Sequence, residues 1–201
     1  MDLINLNAIP IAYERSVYFL DKKELAVIKK IKYQPPHKGF YLSKTISLLN
    51  DKALTSLKKF IIKKAKDYVR NVLEINDQIY LTQSWSTLNP TNAFHEPHAH
   101  PNTFISLVYY AQCKEGAIHI HSDRSSIRKC FNFHYTINRF NIYNSQVWEL
   151  PVQTGDIVLF PGHIRHGSAP NKTQQDRIAV GANFFIKGTL GSKKLVSLIT
   201  I

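Results

Sequence analysis

Short apolar or aromatic segments separated by turn residues fill the chain from residue 78 onward, and this pattern restricts the possible folds most strongly. The turn residues include Gly116, Thr154-Gly155 and Pro170-Asn171. Many short segments at this spacing indicate β-strands arranged as a sandwich or barrel. Candidate strands cover residues 78–88, 103–111, 117–121, 131–135, 140–143, 147–150, 156–160, 166–169 and 177–186.

The part of the chain before residue 77 has a different character and favours two helices. Residues 11–19 alternate loosely and are consistent with an edge strand. Asp21 and Glu24 form a capping-box pattern, which predicts a short helix to about residue 31. A longer helix is predicted over residues 52–73. Its apolar residues recur at helical spacing, and they are Leu54, Leu57, Ile61, Ala65, Tyr68 and Val72.

With 201 residues, 44% of them hydrophobic, the chain is long enough to bury a substantial core. We expect a single, mainly β domain over residues 1–201, with its helices packed on one outer face of a sheet. Within it we expect a helical support region at 1–76, a β core at 77–187 and a C-terminal extension at 188–201.

The chain is basic, with 26 Lys+Arg against 14 Asp+Glu and a net charge of +12. Such an excess can indicate a polyanionic partner such as nucleic acid. The interpretation we favour is a general bias toward lysine, isoleucine and asparagine. The lysines of the longer helix then form a solvated face, and they are Lys58, Lys59, Lys63 and Lys66.

Cysteine content and hydropathy indicate where the protein acts. Cys113 and Cys130 form no CxxC pair, and we expect both to be reduced, as in a cytoplasmic protein. Residues 1–10 lack the pattern of a signal peptide. No apolar stretch approaches the roughly 20 residues that a membrane-spanning helix needs. We therefore expect no membrane partner, and the sequence does not indicate an oligomeric state.

The segment 94–102 contains a histidine cluster, with His98 and His100 two positions apart. On an extended strand successive side chains alternate faces, so these two point the same way. Neutral imidazole is a common metal ligand, and a distant third histidine, His166, completes a pattern that fits a non-haem iron triad. His100 stands where a carboxylate is usual, and Glu96 is an alternative ligand. Each histidine could instead be a hydrogen-bonded structural residue.

Arg177 opens the apolar strand that follows His166. A guanidinium that points inward from such a strand needs an anion, and it binds a carboxylate through two parallel hydrogen bonds. A dicarboxylate cosubstrate that chelates the metal at one end would place its other carboxylate there. The alternative is an ordinary salt bridge with Asp156 or Asp176.

Six segments together resemble the 2-oxoglutarate–Fe(II) oxygenases found in phages and bacteria. They are TISLL at 45–49, QSWS at 83–86, HAHPN at 98–102, SLVYY at 106–110, GDIVLFP at 155–161 and RIAVGANF at 177–184. The resemblance implies a double-stranded β-helix, or jelly roll, with N-terminal helices. It also implies Fe(II) at His98, His100 and His166. It further implies 2-oxoglutarate at Arg177, in a pocket lined by Tyr109 or Tyr110 unless these tyrosines only pack in the core.

The function implied by the resemblance is a 2-oxoglutarate-dependent dioxygenase that hydroxylates a substrate the sequence does not identify. It would act in the cytoplasm, or in the host cytoplasm if the protein is viral. Ala179 departs from many relatives, which have a serine two residues after the arginine. His119 and His121, with Asp123 and Arg124, are candidates for the substrate entrance.

Two other functions stay open at this point. One is a cupin-like metalloprotein without 2-oxoglutarate, because residues 155–166 resemble the second cupin motif. The first cupin motif normally has a glutamate shortly after its histidines, and residues 103–107 contain none. The other is a non-catalytic basic module that binds nucleic acid through its lysine-rich helices.

Overall fold

The computed structural model describes residue 2, residues 8–121 and residues 136–201. Two α-helices occur there, α1 (Lys22–Lys29) and α2 (Thr55–Asp67). The strands are β1 (Ala12–Glu14), β2 (Tyr41–Leu42), β3 (Gln78–Asn89), β4 (Ile105–Gln112), β5 (Gly116–His121), β6 (Val147–Val152), β7 (Ile157–Pro161), β8 (His166–Ser168), β9 (Arg177–Lys187), β10 (Thr189–Leu190) and β11 (Ile199–Thr200). The strand predicted at 131–135 lies outside the described residues.

The strands form two principal antiparallel sheets. The larger sheet has six strands in the order β1-β7-β4-β9-β3-β2, and the smaller sheet has the order β6-β5-β8. A separate hairpin pairs β10 with β11. The edge strand predicted within residues 11–19 is present as β1, which pairs only with β7 among the described strands.

Alternation along the strands of the larger sheet sends successive side chains into two different cores. The outer core lies between this sheet and the helices, where Val180 of β9 joins Leu57 of α2. The inner core lies between the two sheets, where Ala179 and Phe160 join Ile118 of the smaller sheet. The helices therefore cover one outer face of a sheet, as the sequence predicts.

A buried carboxylate joins the first helix to the second. The Asp21 side chain accepts hydrogen bonds from the amides of Lys23 and Glu24, and Glu24 accepts one from the Asp21 amide, which completes the predicted capping box. Glu24 is 1% exposed and also accepts from the Tyr18 hydroxyl at 2.7 Å and the Leu57 amide at 2.9 Å. Because all these donors converge on one carboxylate, α1 is fixed against the start of α2.

The helix predicted over residues 52–73 forms, but its winding changes along its length. A 3₁₀ turn (Lys52–Leu54) leads into α2, and a π-helical turn (Tyr68–Val72) follows it. The predicted apolar stripe is buried as far as Tyr68, whereas Val72 is 48% exposed and Val69 is 2% exposed. A π turn takes in one more residue than an α turn, so the buried face shifts along the sequence. Val72 therefore leaves the buried face, although it continues the helical spacing of the apolar residues.

The strand predicted at 140–143 is also wrong, because asparagine side chains form a turn there. The Asn141 side chain accepts from the Tyr143 amide at 2.8 Å, and the Asn144 side chain accepts from the Asn141 amide at 2.8 Å. Such side-chain to backbone hydrogen bonds compete with the pairing of a strand.

The boundaries proposed within the single domain stay predictions. The region 1–76 supplies β1 and β2 to the larger sheet as well as the helices, and the region 188–201 contains the β10–β11 hairpin. Within the described part of the chain, no helix is both long enough and apolar enough to cross a bilayer.

A pair of valine substitutions tests the π turn. Val69→Ala should lower the free energy of unfolding by about 1.5–3 kcal/mol, because it removes two buried methyl groups and leaves a cavity. Val72→Ala should change it by no more than about 0.5 kcal/mol, because that side chain is largely exposed. Urea unfolding followed by circular dichroism measures both. Equal losses, or a larger loss at Val72, would contradict the assigned winding.

Candidate active site

His98 and His166 lie opposite each other in one isolated antiparallel bridge. The His98 amide donates to the His166 carbonyl at 2.9 Å, and the His166 amide donates to the His98 carbonyl at 2.8 Å. Gly167 permits this close approach, because a Cβ atom there would lie 2.6 Å from the carbonyl oxygen of His95. The bridge brings the histidine motif that follows β3 against the first residue of β8.

The three predicted histidines converge on one point. His98, His100 and His166 each offer a ring nitrogen, and these nitrogens lie within 4.8 Å of one another. This spacing allows a single metal ion to contact all three. Glu96, the alternative ligand, is not part of this group, and its carboxylate lies 2.7 Å from Lys38 Nζ.

Backbone carbonyls orient two of these rings. His98 Nδ1 lies 2.8 Å from the Glu96 carbonyl oxygen, and His166 Nδ1 lies 3.0 Å from the Ile164 carbonyl oxygen. A carbonyl only accepts, so each Nδ1 carries the proton and each Nε2 keeps its lone pair. Histidines that bind metals commonly donate their other ring N–H to a carbonyl in this way.

Burial keeps the cluster uncharged. It lowers the pKa of His98, lowers that of His100 to about 4, and lowers that of His166 well below its ordinary value. Neighbouring histidines lower the pKa of His100 and His166 further, because a second positive charge in the cluster is unfavourable. A metal needs the neutral form of imidazole, and at neutral pH these rings supply it.

His95 supports the cluster, a role that the sequence analysis did not assign to it. Its ring stacks on that of His98 with centroids 4.2 Å apart, and Phe40 packs against it at 4.1 Å. Burial, followed by the nearby histidines, lowers the pKa of His95 to about 3. Its position in the same histidine-rich segment was the signal that could have identified it.

Arg177 is buried and only partly paired. The residue is 3% exposed, and its Nη2 donates to Ser168 Oγ at 2.9 Å and to the Ala169 carbonyl at 2.7 Å. Its Nη1 has no hydrogen-bond partner among the described residues. Burial lowers the pKa of Arg177, while Tyr110 and Cys113 raise it in part.

The salt bridge considered as an alternative for Arg177 does not form within the described part of the chain. The Asp156 carboxylate instead accepts from the Ser16 amide at 2.8 Å and from the Gln153 amide at 2.9 Å. The Asp176 carbonyl accepts from the Gln112 side chain at 2.8 Å. The guanidinium therefore presents an N–H group that no described carboxylate occupies.

One cavity between the sheets connects the histidine cluster to the arginine. It is lined by His98, His100, His166, Arg177 and Ala179, with Tyr110, Thr87, Asn89 and Trp85 completing much of its wall. Of the two predicted tyrosines, only Tyr110 lines it. Tyr109 points to the opposite face of β4, where its hydroxyl donates to the Tyr18 carbonyl at 3.2 Å. The expectation that Tyr109 lines the cavity is wrong, because adjacent strand residues face opposite ways.

Trp85 forms the wall beside His100, with ring centroids 5.2 Å apart. Its indole lies over Gly181, which is its partner on β9, and a Cβ atom at that position would come within 2.5 Å of the ring. Gly181 therefore makes room for an aromatic wall next to the cluster.

The second histidine pair, His119 and His121, does not join this cluster. His119 Nε2 lies 3.2 Å from the Glu149 carboxylate. Asp123 and Arg124, proposed to share the substrate entrance with them, lie outside the described residues.

Comparison with known proteins identifies the family. A family model described as "Putative 2OG-Fe(II) oxygenase" matches residues 83–183, about half of the chain. This segment contains all three histidines and Arg177. The chain belongs to this oxygenase family. No curated protein matches the chain by sequence.

Three solved structures illustrate the fold. HygX from Streptomyces hygroscopicus, with nickel and 2-oxoglutarate bound, has a TM-score of 0.61 at 10% identity and covers 88% of this chain and 82% of its own. A Pseudomonas putida prolyl-4-hydroxylase has a TM-score of 0.57 at 13% identity, with coverage of 90% and 94%. The epimerase SnoN from nogalamycin biosynthesis has a TM-score of 0.64 at 12% identity, with coverage of 88% and 78%.

These comparisons confirm several predictions made from the sequence. The protein has the double-stranded β-helix fold, and it is a 2-oxoglutarate/Fe(II) oxygenase that uses both iron and 2-oxoglutarate. The family assignment favours this function over a cupin-like protein without 2-oxoglutarate and over a non-catalytic module. The residues that bind each group stay predictions.

The buried, neutral histidines make stability depend on pH. His95 and His100 have a pKa of about 3 and about 4 in the fold, against an ordinary value of 6.5. Below about pH 6.5 the unfolded chain binds protons that the folded metal-free protein does not, so its stability should fall from there toward about pH 4. Urea unfolding at several pH values measures this. His95→Gln should flatten the dependence, and an unchanged dependence in that variant would contradict the assignment.

Proposed function

We propose that this oxygenase hydroxylates a C–H bond of an organic substrate, with iron(II) held by His98, His100 and His166 and with the distal carboxylate of 2-oxoglutarate held by Arg177. One observation carries the proposal. Three neutral imidazoles and a buried guanidinium with an unpaired N–H group line the same cavity. A ligand that chelates a metal at one end and carries a carboxylate at the other end fits this arrangement.

The histidines hold the metal and leave it open to further ligands. The carbonyls of Glu96 and Ile164 fix the protonated Nδ1 atoms, so that the Nε2 lone pairs of His98 and His166 face the same point. Three protein ligands would leave coordination positions of the metal free for the cosubstrate and for oxygen. Bound iron and 2-oxoglutarate, with oxygen, supply the oxidising chemistry, and the protein supplies position and environment.

Arg177 sets the orientation of the cosubstrate. Ser168 and Ala169 hold Nη2, so the guanidinium cannot rotate and Nη1 stays available. Ser168 Oγ also accepts from the His95 amide at 2.9 Å, which links the arginine to the segment that carries the histidines. The carboxylate end and the metal end of the site are thereby held at a fixed separation.

Apolar and aromatic side chains form part of the cavity wall. Trp85 and Tyr110 place aromatic surface beside the polar groups, and Ile118 of the smaller sheet also contributes apolar surface. Apolar surface beside the guanidinium and the histidines lowers the local dielectric constant, which would strengthen their interactions with an anionic cosubstrate.

Further proposals concern location, origin and partners. We propose that the enzyme acts in the cytoplasm of a bacterium or of a phage-infected host, on a small-molecule or macromolecular substrate not yet identified. The free, buried Cys113 thiol supports a reducing compartment. Nucleic-acid binding stays a prediction that we do not favour. It would use the lysines of α2, whose apolar face covers the outer side of the larger sheet, away from the cavity.

Turnover of the cosubstrate tests the proposed function. Purified protein supplied with Fe(II), ascorbate, 2-oxoglutarate and oxygen should form succinate slowly even without substrate. His166→Ala should lose bound metal, measured by metal analysis. Arg177→Ala should keep the metal but bind 2-oxoglutarate about 10- to 100-fold more weakly in anaerobic calorimetry, because a charge-assisted hydrogen bond is lost.

The control is His119→Ala, which changes a histidine outside the cluster and should keep both binding properties. A wild-type protein that holds metal but does not bind 2-oxoglutarate would contradict the proposal. So would a His166→Ala variant with normal metal content.

A further inference from the structure

Asn89, the last residue of β3, has a buried side chain with an unpaired donor. The residue is 3% exposed, and its Nδ2 has no hydrogen-bond partner among the described residues. Its side chain lines the same cavity as Arg177, because the two residues are partners across β3 and β9. Neither the histidine pattern nor the family resemblance drew attention to this asparagine.

Two unpaired buried donors in one cavity need an explanation, because buried polar groups are nearly always hydrogen-bonded. A neighbouring asparagine shows what a purely structural amide does here. Asn171 is fully buried, its Nδ2 donates to the carbonyls of Asn89 and Gln175 at 2.9 Å and 2.8 Å, and its Oδ1 accepts from Thr173. Asn89 lies at the same end of the sheet, but its Nδ2, unlike that of Asn171, has no described acceptor.

The chemistry of the two donors identifies the class of acceptor. Arg177 Nη1 is cationic and Asn89 Nδ2 is neutral, and a carboxylate has two oxygens that can accept one hydrogen bond from each. Ala179, the next residue of β9 on the same face, has no hydroxyl group to offer. This position of β9 therefore supplies no second donor beside the arginine, whereas Asn89 on β3 has a buried donor without a described partner.

We propose that Asn89 is a second anchor for the distal carboxylate of 2-oxoglutarate, acting together with Arg177. This inference rests on the proposed function, because it assigns a further residue to the same cosubstrate. Asn89 sets specificity: it favours 2-oxo acids that carry a second carboxylate, and it has no role in holding the metal.

The test compares two 2-oxo acids by anaerobic calorimetry on the Fe(II)-loaded protein. 2-Oxoglutarate has the distal carboxylate, whereas pyruvate keeps the 2-oxo acid group and lacks that carboxylate. Asn89→Ala should weaken binding of 2-oxoglutarate by about 10- to 100-fold, as expected for loss of a hydrogen bond to a charged group. Pyruvate affinity and metal content should not change.

A second variant and a control remove the ambiguity of a folding defect. Asn89→Asp keeps the shape of the side chain but replaces the donor with a negative charge, so it should weaken 2-oxoglutarate binding at least as much as Asn89→Ala. Asn183→Ala removes a different buried amide, on β9, whose Oδ1 accepts from Ser106 at 2.9 Å. That control should lower the melting temperature without a selective loss of 2-oxoglutarate affinity.

The outcomes separate this inference from the function on which it rests. Wild-type binding of 2-oxoglutarate with equal binding by Asn89→Asp would overturn the role of Asn89 and leave the proposed function in place. Equal losses for pyruvate and 2-oxoglutarate, or loss of the metal, would show a structural role and also overturn it. Failure of the wild-type protein to bind 2-oxoglutarate would remove the proposed function itself.

Discussion

The site depends on one reciprocal pair of backbone hydrogen bonds, between His98 and His166. These residues are distant in sequence, and the bridge brings the proposed metal ligands together. Backbone hydrogen bonds from Ser168 to His95 and from His100 to Gly162 flank it. Gly167 is part of the same constraint, since any side chain there would meet the carbonyl of His95. The inner core packs the two sheets against each other next to this bridge. The bridge then fixes the distance between the imidazoles of His98 and His166.

The electrostatics of the cavity fit a dianionic ligand. With the proposed ligands, a divalent metal would be surrounded by neutral imidazoles, and Arg177 adds a positive charge at the other end. No aspartate or glutamate is among the described residues that line the cavity. Glu96 pairs with Lys38 at the surface, and Asp156 accepts from backbone amides. The buried Arg177 guanidinium thus has no described carboxylate as a partner, and a bound dicarboxylate would balance its charge.

Most of the fold could be predicted because period-two segments and turn residues are local signals. The errors arose where local signals compete. A π turn shifted the buried face at Val72, and asparagine side chains formed a turn where residues 140–143 were predicted as a strand.

The site was predictable to the extent that it follows motifs, as for the three histidines and Arg177. The orientation of Tyr109 depends on the phase of β4 relative to the core, which the SLVYY segment does not reveal. Asn89 is a single residue at a strand end, and its importance appears only when its unpaired donor is seen beside Arg177.

The outer core mainly stabilises the fold, whereas the inner core surrounds the candidate active site. A buried donor that lacks a partner costs about 1–3 kcal/mol, and this cost applies to Asn89 and Arg177 wherever no acceptor reaches them. The outer core offsets this, because Leu54, Leu57 and Ile61 are fully buried against the larger sheet. Glu24 strengthens the same layer by joining α1 to α2. The helices therefore matter to the chemistry although they lie on the far side of the sheet: their packing supports strands whose inner faces can keep donors unpaired until an acceptor binds.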